Sequence, residues 1–473
     1  MILLRLLQIG ACVAGMALGA EARPFTVLVY NVENLFDGDG VSVYDDYRPN
    51  IYSPEHVKTK VANIARVVAT IEGGKGPDII LFQEIEVDRT PDREPSSEAR
   101  LLAALEARGL RGYTVVAGSD SATSMHEDGN PRAIKCVVFT RFPVKAVRNH
   151  PTLTARNILE VELDVDGARL FVFDNHWKSG ASDPVTEKIR IANARTLRSR
   201  LDAILKADPH ADIVIGGDFN SQYNQGPRFK STMPESALND VLGSQGNELA
   251  LRGSKVDLYN LWYELPPERR GSDVYRGEWG TLMQIILSRG LYDRRGVQYV
   301  DNSFAVASVP GLNAGPEGLP VRWSNEGAAG SGFSDHFPLV ARFTTVTGKG
   351  EDGWMPLVRP SESDDSPLQP PRASERVADV SKAIDLAAIS DPGLLRDGSL
   401  SGKIVLVKGR VGAGKRLTVE VRGELWDVWV PEPAMRERIR AAWEEGEVVS
   451  FYGLLGQFKG KWQFTIERAE WVK

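Results

Sequence analysis

Cysteine is almost absent from this chain of 473 residues, which contains only Cys12 and Cys136. If the first residues are removed as an export signal, Cys136 alone remains, which excludes an intramolecular disulfide in the mature chain. Cys136 lies in the strand-like run Ile134 to Phe139, so we interpret it as a buried small hydrophobic residue rather than a nucleophile. A chain of this length can rely on its hydrophobic core instead.

An excess of positive charge is also lacking, since the net charge is −6. The molecule as a whole is therefore no general attractor of polyanions, and nucleic-acid binding would need a local patch or bound metal ions. The hydrophobic fraction of 42% and the charged fraction of 25% are ordinary for a soluble globular protein. The length exceeds that of a single hydrophobic core and predicts two domains.

Long apolar runs are missing beyond the first residues of the chain. Ile9 to Ala20 form a short apolar segment after Arg5, and Ala20-Glu21-Ala22 offers a small-x-small cleavage pattern. We therefore predict a signal peptide over residues 1–22, a secreted or periplasmic protein, and no integral membrane span after signal removal. Two alternatives stay open: a lipoprotein signal, which Ile9-Gly10-Ala11-Cys12 loosely fits, and a buried helix or strand of the mature domain.

The rest of the chain divides by composition into two domains and a linker. Strand-like runs alternate with helical stretches over residues 23–346, which predicts mixed β-sheets covered by helices, an α/β (α+β) class. Residues 347–381 are rich in Pro, Gly and Ser and lack periodicity, so we interpret them as a linker, with a loop packed on the first domain as the alternative. Residues 382–473 show five short strands with one helix between the third and fourth, which favours a small all-β barrel of the OB type.

The second domain has a modest cationic and aromatic bias. Residues 399–473 hold 13 Lys and Arg against 10 Asp and Glu, a local net charge of +3, and five of the ten tryptophans. Such residues on a small barrel could bind single-stranded nucleic acid by stacking and phosphate pairing. Aromatic residues of a barrel are as often its core, so both interpretations stay open.

Five short segments, spread over some three hundred residues, each place polar side chains in or beside a strand-like apolar run. They are Val29-Tyr30-Asn31-Val32-Glu33-Asn34, Leu81-Phe82-Gln83-Glu84, Asp174-Asn175-His176-Trp177-Lys178, Gly216-Gly217-Asp218-Phe219-Asn220 and Ser334-Asp335-His336. Polar groups so placed can converge while the chain between them builds a scaffold. Together they hold the parts needed to hydrolyse a phosphate ester with a hard metal ion.

Each pair of side chains suits one part of that chemistry. Glu84 and Asn31 at strand ends would form a metal-binding acid and amide. Asp218 and Asn220 straddle Phe219, so period two points both to one face, where one can position a water and the other donate to a phosphoryl oxygen.

Two of the six histidines also occur in these polar clusters. His336 beside Asp335 can act as a general base. His176 and Lys178 share a face, and both can donate to a phosphate.

As a set, these segments resemble the endonuclease/exonuclease/phosphatase superfamily, over about residues 25–345, and Asn175-His176-x-Lys178-Ser179 is most similar to exported bacterial nuclease-like members. The resemblance implies a four-layer sandwich, with two mixed sheets face to face and helices outside. It also implies a role for each candidate residue. Glu84 would be the principal metal ligand, with Asn31 and Asp335 near the metal, His336 the general base or phosphate-polarising histidine, and Asp218 the acid that handles the proton. Asn220 and His176 would bind phosphate, and Arg132 and Arg156 would be substrate-facing cations.

One position departs from the family pattern. The family usually carries an Asp in a Leu-Asp-x-Ile-like run, where it hydrogen-bonds the catalytic His, but Met283 stands there in this chain. Loss of that partner would lower the pKa of His336 and loosen its orientation. Gln284 should point to the opposite face, and Asp273 or another loop carboxylate is a possible replacement.

These observations lead to one hypothesis with two alternatives. We expect an exported, monomeric, Mg²⁺- or Mn²⁺-dependent phosphodiesterase, a DNA or RNA endonuclease with an OB-like module for substrate capture. The first alternative is a phosphatase or phospholipase-type diesterase acting on smaller phosphate esters. The second, motivated by Met283, is a catalytically weakened nucleic-acid-binding protein on the same scaffold.

Overall fold

The computed structural model describes residues 22–93, 95–120, 131–152, 155–253, 255–275, 277–346, 353–361, 380–396, 400, 403–414, 416–430, 433–458 and 461–473. The predicted signal peptide, apart from Ala22, lies outside the described residues. Within the described part of the chain, no helix has the length and apolar character that crossing a membrane requires.

The first domain contains fifteen strands and four helices in the described residues. The strands are β1 Pro24–Leu35, β2 Ile79–Glu86, β3 Thr114–Ala117, β4 Ile134–Thr140, β5 Val144–His150, β6 Ile158–Val165, β7 Ala168–His176, β8 Asp212–Asp218, β9 Leu258–Asn260, β10 Asp273–Tyr275, β11 Glu278–Gly280, β12 Met283–Ser288, β13 Val297–Tyr299, β14 Ala305–Val306 and β15 Leu339–Thr345. The helices are α1 Pro54–Val68, α2 Ser97–Ala107, α3 Pro184–Ala207 and α4 Gln225–Phe229.

Two mixed sheets form the centre of this domain. One has the order β13-β15-β1-β2-β4-β3, with β14 also paired to β15, and the other has the order β5-β6-β7-β8-β12-β9. Their facing sides bury Val29, Leu81, Val172 and Ile285 completely. Because β1, β4 and β8 are covered on both faces, they are almost continuously apolar rather than alternating.

Helices cover the outer faces of the two sheets. The helices α1 and α2 pack on the first sheet around Ile64 and Leu101, and α3 packs on the second around Leu197. The helix α1 begins after Ser53 with Pro54 at its first position, and α3 begins after Asp183, whose side chain accepts a hydrogen bond from the Val185 amide at 2.8 Å. The predicted four-layer α/β sandwich is therefore confirmed.

Part of the predicted linker packs on the first domain. Met355 is 3% exposed and joins the core between the sheets, and the Ser361 hydroxyl donates to the Gly246 carbonyl at 3.0 Å. For residues 353–361 the alternative interpretation, a loop packed on the first domain, therefore holds. Residues 347–352 and 362–379 lie outside the described residues, so the full extent of the linker stays a prediction.

The second domain is a closed barrel. Its strands are β16 Ile384–Asp385, β17 Ile404–Val411, β18 Thr418–Val421, β19 Glu424–Trp429, β20 Val448–Phe458 and β21 Lys461–Thr465, with the helix α5 Pro433–Ala442. The five strands β17-β18-β19-β21-β20 form a ring that closes because β20 also pairs with β17, while β16 adds to β17 outside it. The order and the helix between β19 and β20 fit the predicted OB-like barrel.

The tryptophans of the barrel divide between core and surface. Trp426 and Trp471 are each 2% exposed and belong to the barrel core, whereas Trp429 is 43% exposed, with the Arg436 guanidinium 4.6 Å from its ring centre. The aromatic enrichment of this region therefore reflects, in large part, core packing.

Candidate active site

The five polar segments meet in one cleft of about 670 Å³. It lies at the ends of β1, β2, β7 and β8, beside the loop that leads into β15. Ser334 fastens that loop, since its hydroxyl donates to the Asn31 carbonyl at 2.7 Å and accepts from the His336 amide at 3.1 Å. These two hydrogen bonds hold the loop against β1, so residues that are far apart in sequence lie at one wall of the cleft.

Asn31 joins the carboxylates of the two sheets. Its Nδ2 donates to Glu84 Oε1 at 2.9 Å and to Asp218 Oδ2 at 3.1 Å, while its Oδ1 accepts from the Glu33 amide at 3.0 Å. His176 Nε2 lies 3.7 Å from each of the same two carboxylate oxygens. The predicted metal ligand Asn31 therefore lies at the site, where in this arrangement its amide holds two acids together.

These acids form a group that suits a divalent cation. Ligand atoms of Glu84, His176 and Asp218 all lie within 4.8 Å of one another. Burial, and next the neighbouring charge of Asp335, raise the pKa of Glu84. When two carboxylates disfavour each other's ionisation, a cation bound between them stabilises both charged forms. Mg²⁺ and Mn²⁺ prefer such oxygen ligands. The residues present therefore fit the predicted metal.

The backbone at the site adopts a conformation that side chains rarely take. Glu33, Asn34, Glu84 and Asn220 have φ of 52°, 59°, 66° and 47°, in the left-handed region. The pairing of β1 with β2 shifts register around Glu33 and Asn34, and the pairing of β2 with β4 shifts register around Glu84. Strain of about 1–3 kcal/mol for each such residue persists only where the surrounding fold imposes it, and it is common at functional sites.

The two histidines are held in opposite protonation states. Burial lowers the pKa of His336, but the charges of Asp335, Asp218, Asp273 and Glu84 outweigh it and raise this pKa to about 9. His336 Nε2 lies 3.7 Å from Asp335 Oδ1 and 3.9 Å from Asp218 Oδ2.

The pKa of His176 moves the other way. Burial, and next the positive charges of Arg156 and His336, hold it well below its usual value. His336 is thus a cationic donor and His176 a neutral imidazole at pH 7.

Met283 offers no carboxylate to His336, but Asp273 lies near this histidine. Met283 is fully buried in the core between the sheets. Asp273 forms a β-bridge with His336, and its carboxylate lies so close over Gly280 that a Cβ there would meet Asp273 Oδ2 at 2.1 Å. Burial raises the pKa of Asp273 to about 6, and the charge of His336 opposes that rise.

Gln284 is occupied elsewhere, as its orientation predicted. It donates to the carbonyls of Ser221 at 2.7 Å and Thr281 at 2.8 Å and accepts from Asn260 at 2.6 Å. Asp273 is therefore a nearby carboxylate that supports the positive charge of His336, while His336 Nδ1 has no hydrogen-bond partner among the described residues.

The remaining predicted residues fall into two groups. Asn220 and Arg156 line the cleft, and both donate to the Trp177 carbonyl, at 3.1 and 3.3 Å. Lys178, half-buried, is not part of the lining of this cleft. Arg132 is 7% exposed and pairs with Asp120 at 2.9 Å, so its charge is engaged inside the domain and does not face the cleft as predicted.

Several residues of the cleft were not found from the sequence. Arg322 lies 2.9 Å from Glu33 and 3.6 Å from Asp335, and its side chain is 68% exposed. Tyr44 lines the wall next to Arg156, and Arg228 and Tyr275 form another side. No motif or periodicity distinguishes these residues, because long irregular loops carry most of them into place.

The first domain is a two-sheet sandwich whose cleft brings together buried acids, two histidines and cationic side chains. This combination is typical of a metal-dependent hydrolase of phosphate esters. Residues 130–344 match the model of the Endonuclease/Exonuclease/phosphatase family. The family assignment made from the motifs is therefore confirmed for this part of the first domain.

Solved structures of similar proteins cover about two thirds of the chain. An endonuclease/exonuclease/phosphatase from Beutenbergia cavernae is 18% identical, with 68% of this chain and 72% of that chain covered and a TM-score of 0.43. The human Nocturnin catalytic domain with bound sulfate is 18% identical, with 68% and 94% covered and a TM-score of 0.39. D. rerio TDP2 complexed with single-strand DNA product is 13% identical, with 68% and 98% covered and a TM-score of 0.39. Among curated proteins, none matches this sequence.

Proposed function

We propose that this protein is a divalent-metal-dependent phosphodiesterase that hydrolyses DNA or RNA. The observation that carries the proposal is the Asn31 amide bridging Glu84 and Asp218, at 2.9 and 3.1 Å, from two different sheets. This bridge sits between the two histidines in an open, polar cleft. Hydrolysis of a phosphodiester depends mainly on positioning and charge neutralisation, and this arrangement supplies both.

Each side chain has a part in the proposed reaction. Glu84, with Asp335 beside it, would hold the cation, which neutralises charge on the phosphate when bound, and the Asn31 amide, which donates to Glu84, would position that ligand. Asp218 orients the attacking water and accepts its proton. The protonated His336 donates to a phosphoryl oxygen and stabilises the charge that develops there.

The outer residues of the cleft bind the rest of the phosphate chain. Arg156 and Arg322 supply positive charge on two walls, and Asn220 and His176 donate hydrogen bonds to phosphoryl oxygens. The cleft of about 670 Å³ has room for an extended substrate as well as for the scissile phosphate. Lys178 and Arg132 are left out of this set because neither lines the cleft.

The test is a digestion panel with the full chain after chelation and metal add-back. Plasmid DNA, single-stranded DNA and RNA should be cut with Mg²⁺ or Mn²⁺, and Glu84→Gln should lower the rate by at least about 100-fold, since it removes a ligand charge. Glu268→Gln, an exposed glutamate away from the cleft, is the matched control and should leave the rate unchanged. Activity on phosphocholine or sugar-phosphate esters with none on nucleic acid would overturn the nuclease proposal.

We further propose that the protein is exported after removal of residues 1–22. The proposal rests on the apolar segment Ile9 to Ala20 and the small-x-small pattern that ends at Ala22. Sequencing the N-terminus of the protein recovered from the periplasm or medium should give Arg23. A cytoplasmic protein that retains Met1 would contradict export.

A further inference from the structure

A second group of acidic side chains lies outside the cleft. Glu248 and Glu264 come from short helical turns that precede and follow β9, and Asp301 comes from the loop after β13. One ligand oxygen from each of the three residues lies within 4.8 Å of the others. None of the three lines the cleft.

Each carboxylate uses one oxygen for the protein and leaves the other without a partner. Val358 donates its amide to Asp301 Oδ2 at 2.6 Å, Ser361 donates its amide to Glu248 Oε2 at 3.3 Å, and Glu264 Oε2 accepts from a tyrosine hydroxyl at 2.7 Å. Among the described residues, Glu248 Oε1, Glu264 Oε1 and Asp301 Oδ1 are buried with no hydrogen-bond donor. Buried, unpartnered oxygens on carboxylates that lie this close together are unfavourable unless a positive charge joins them.

The Tyr292 hydroxyl points to the same conclusion independently. Tyr292 is 2% exposed, its hydroxyl faces the Glu248 carboxyl, and it makes no hydrogen bond of normal length within the described part of the chain. Arg252 is the nearest opposing charge for Glu248, but its guanidinium donates to the Met355 carbonyl at 2.9 Å. A sheltered group of carboxylate and hydroxyl oxygens of this kind suits a hard cation that takes many oxygen ligands.

We propose that Glu248, Glu264 and Asp301 bind a divalent cation of the calcium type that fastens residues 353–361 to the first domain. The donors from Val358 and Ser361 belong to this segment and already contact one oxygen each of Asp301 and Glu248. A cation on the unpartnered oxygens fixes the carboxylates in the position from which they hold the segment. Ca²⁺ fits better than Mg²⁺ because it accepts irregular sets of six to eight oxygens.

The test uses the chelator-treated full chain carrying Glu84→Gln, so that the cleft contributes no strong metal binding. Tb³⁺ should give luminescence sensitised by Tyr292, Ca²⁺ should displace it, and equilibrium dialysis should find one Ca²⁺ per chain. Ca²⁺ at about 1 mM, within the range of weak extracellular calcium sites, should raise the Tm by roughly 4 °C.

In this Glu84→Gln chain, a second substitution, Glu264→Gln or Asp301→Asn, should abolish the luminescence and the Tm shift. The exposed control substitution Glu268→Gln in the same chain should keep both. If the variants do not fold, the dialysis and the Tm shift of the Glu84→Gln chain decide the matter. The proposal is wrong if that chain binds no Ca²⁺, or if the two variants bind it as well as the control does. Failure of this test leaves the proposed catalysis untouched, because the two sites share no residue.

Discussion

Replacement of Asp273 by Asn tests whether this residue has taken over the support of His336. Asn keeps the size of the side chain beside Gly280 and removes its charge. The pKa of His336 rises from 6.5 to about 9 against the effect of burial, and four carboxylates cause that rise. Asp273 is one of these four carboxylates, so its loss should lower the pKa of His336 while the charges of the other three continue to raise it.

Among the described residues His336 Nδ1 has no hydrogen-bond partner, so the support that Asp273 gives is electrostatic. Removal of a residue that supports a functional side chain typically costs about 10–100-fold in activity, and without a direct hydrogen bond we expect kcat to fall by about tenfold, at the low end of that range. KM should change by less than about threefold, because Asp273 does not need to touch the substrate. Since protonated His336 is the active form and Asp273 stabilises its charge, the loss of activity at high pH should begin at a lower pH in Asp273→Asn.

A second substitution provides the rescue. Met283→Asp restores the carboxylate that the family usually has, so it should raise the kcat of Asp273→Asn by about tenfold but change the otherwise wild-type chain by less than about threefold. The assay is steady-state cleavage of a fluorescent oligonucleotide from pH 5 to 10, with thermal unfolding of each variant to confirm folding. An Asp273→Asn chain with full kcat and an unshifted pH profile would refute the reasoning.

Three further predictions concern the scaffold and the barrel. Gly217→Ala should lower the free energy of unfolding by more than about 3 kcal/mol, because its φ is 135° and a Cβ would meet the Asn175 carbonyl at 2.0 Å. Gly216→Ala, whose Cβ would meet the side chains of Val29 and Leu81 at 2.8 and 2.9 Å, should cost about 1–3 kcal/mol, and equal losses in urea unfolding would contradict this. Burial raises the pKa of Glu86 to about 9, so the folded state keeps a proton that the unfolded chain releases. The protonated Glu86 carboxyl therefore stabilises the fold fully below about pH 4.5, and this contribution is lost as the pH rises towards 9. Between pH 4.5 and 7 the free energy of unfolding should fall by about 3 kcal/mol less in Glu86→Gln than in the wild type, and an equal fall in both proteins would contradict this prediction. Trp429→Ala should weaken binding of single-stranded DNA by about 1–3 kcal/mol if this exposed ring stacks on a base, and unchanged affinity in fluorescence anisotropy would remove the barrel from substrate capture.

The scaffold was predictable where local signals are strong. The helix α3 is such a case, because Pro184 and the Asp183 cap mark its start and an apolar stripe marks its length. The edge strand β5 carries no such signal, since its exposed side chains include Lys145, Val147 and Arg148, and it lacks the buried apolar pattern of the inner strands. The strands β9, β10 and β11 are three residues long, too short for a periodic pattern to indicate them.

The candidate site was predictable as a set of residues and not as a geometry. Glu84, His176, Asp218 and His336 were found because each ends or follows a strand in a compact motif, and parallel strands bring such ends together. Arg132 looked equivalent to Arg156 in sequence, yet one pairs with Asp120 inside the domain and the other lines the cleft. Which of two arginines faces solvent depends on contacts that form only on folding.

Periodicity in the sequence by itself therefore predicted mixed sheets covered by helices and the small barrel. Short motifs supplied the acids and histidines of a phosphate-ester hydrolase and the family resemblance that implied the four-layer sandwich. Both kinds of signal are properties of neighbouring residues. Only the tertiary structure decided the left-handed backbone at Glu84 and Asn220, the Asn31 bridge between two sheets, and the placement of Asp273 beside His336. Those features arise from contacts between residues that are distant in the chain, and such contacts leave no trace in local pattern.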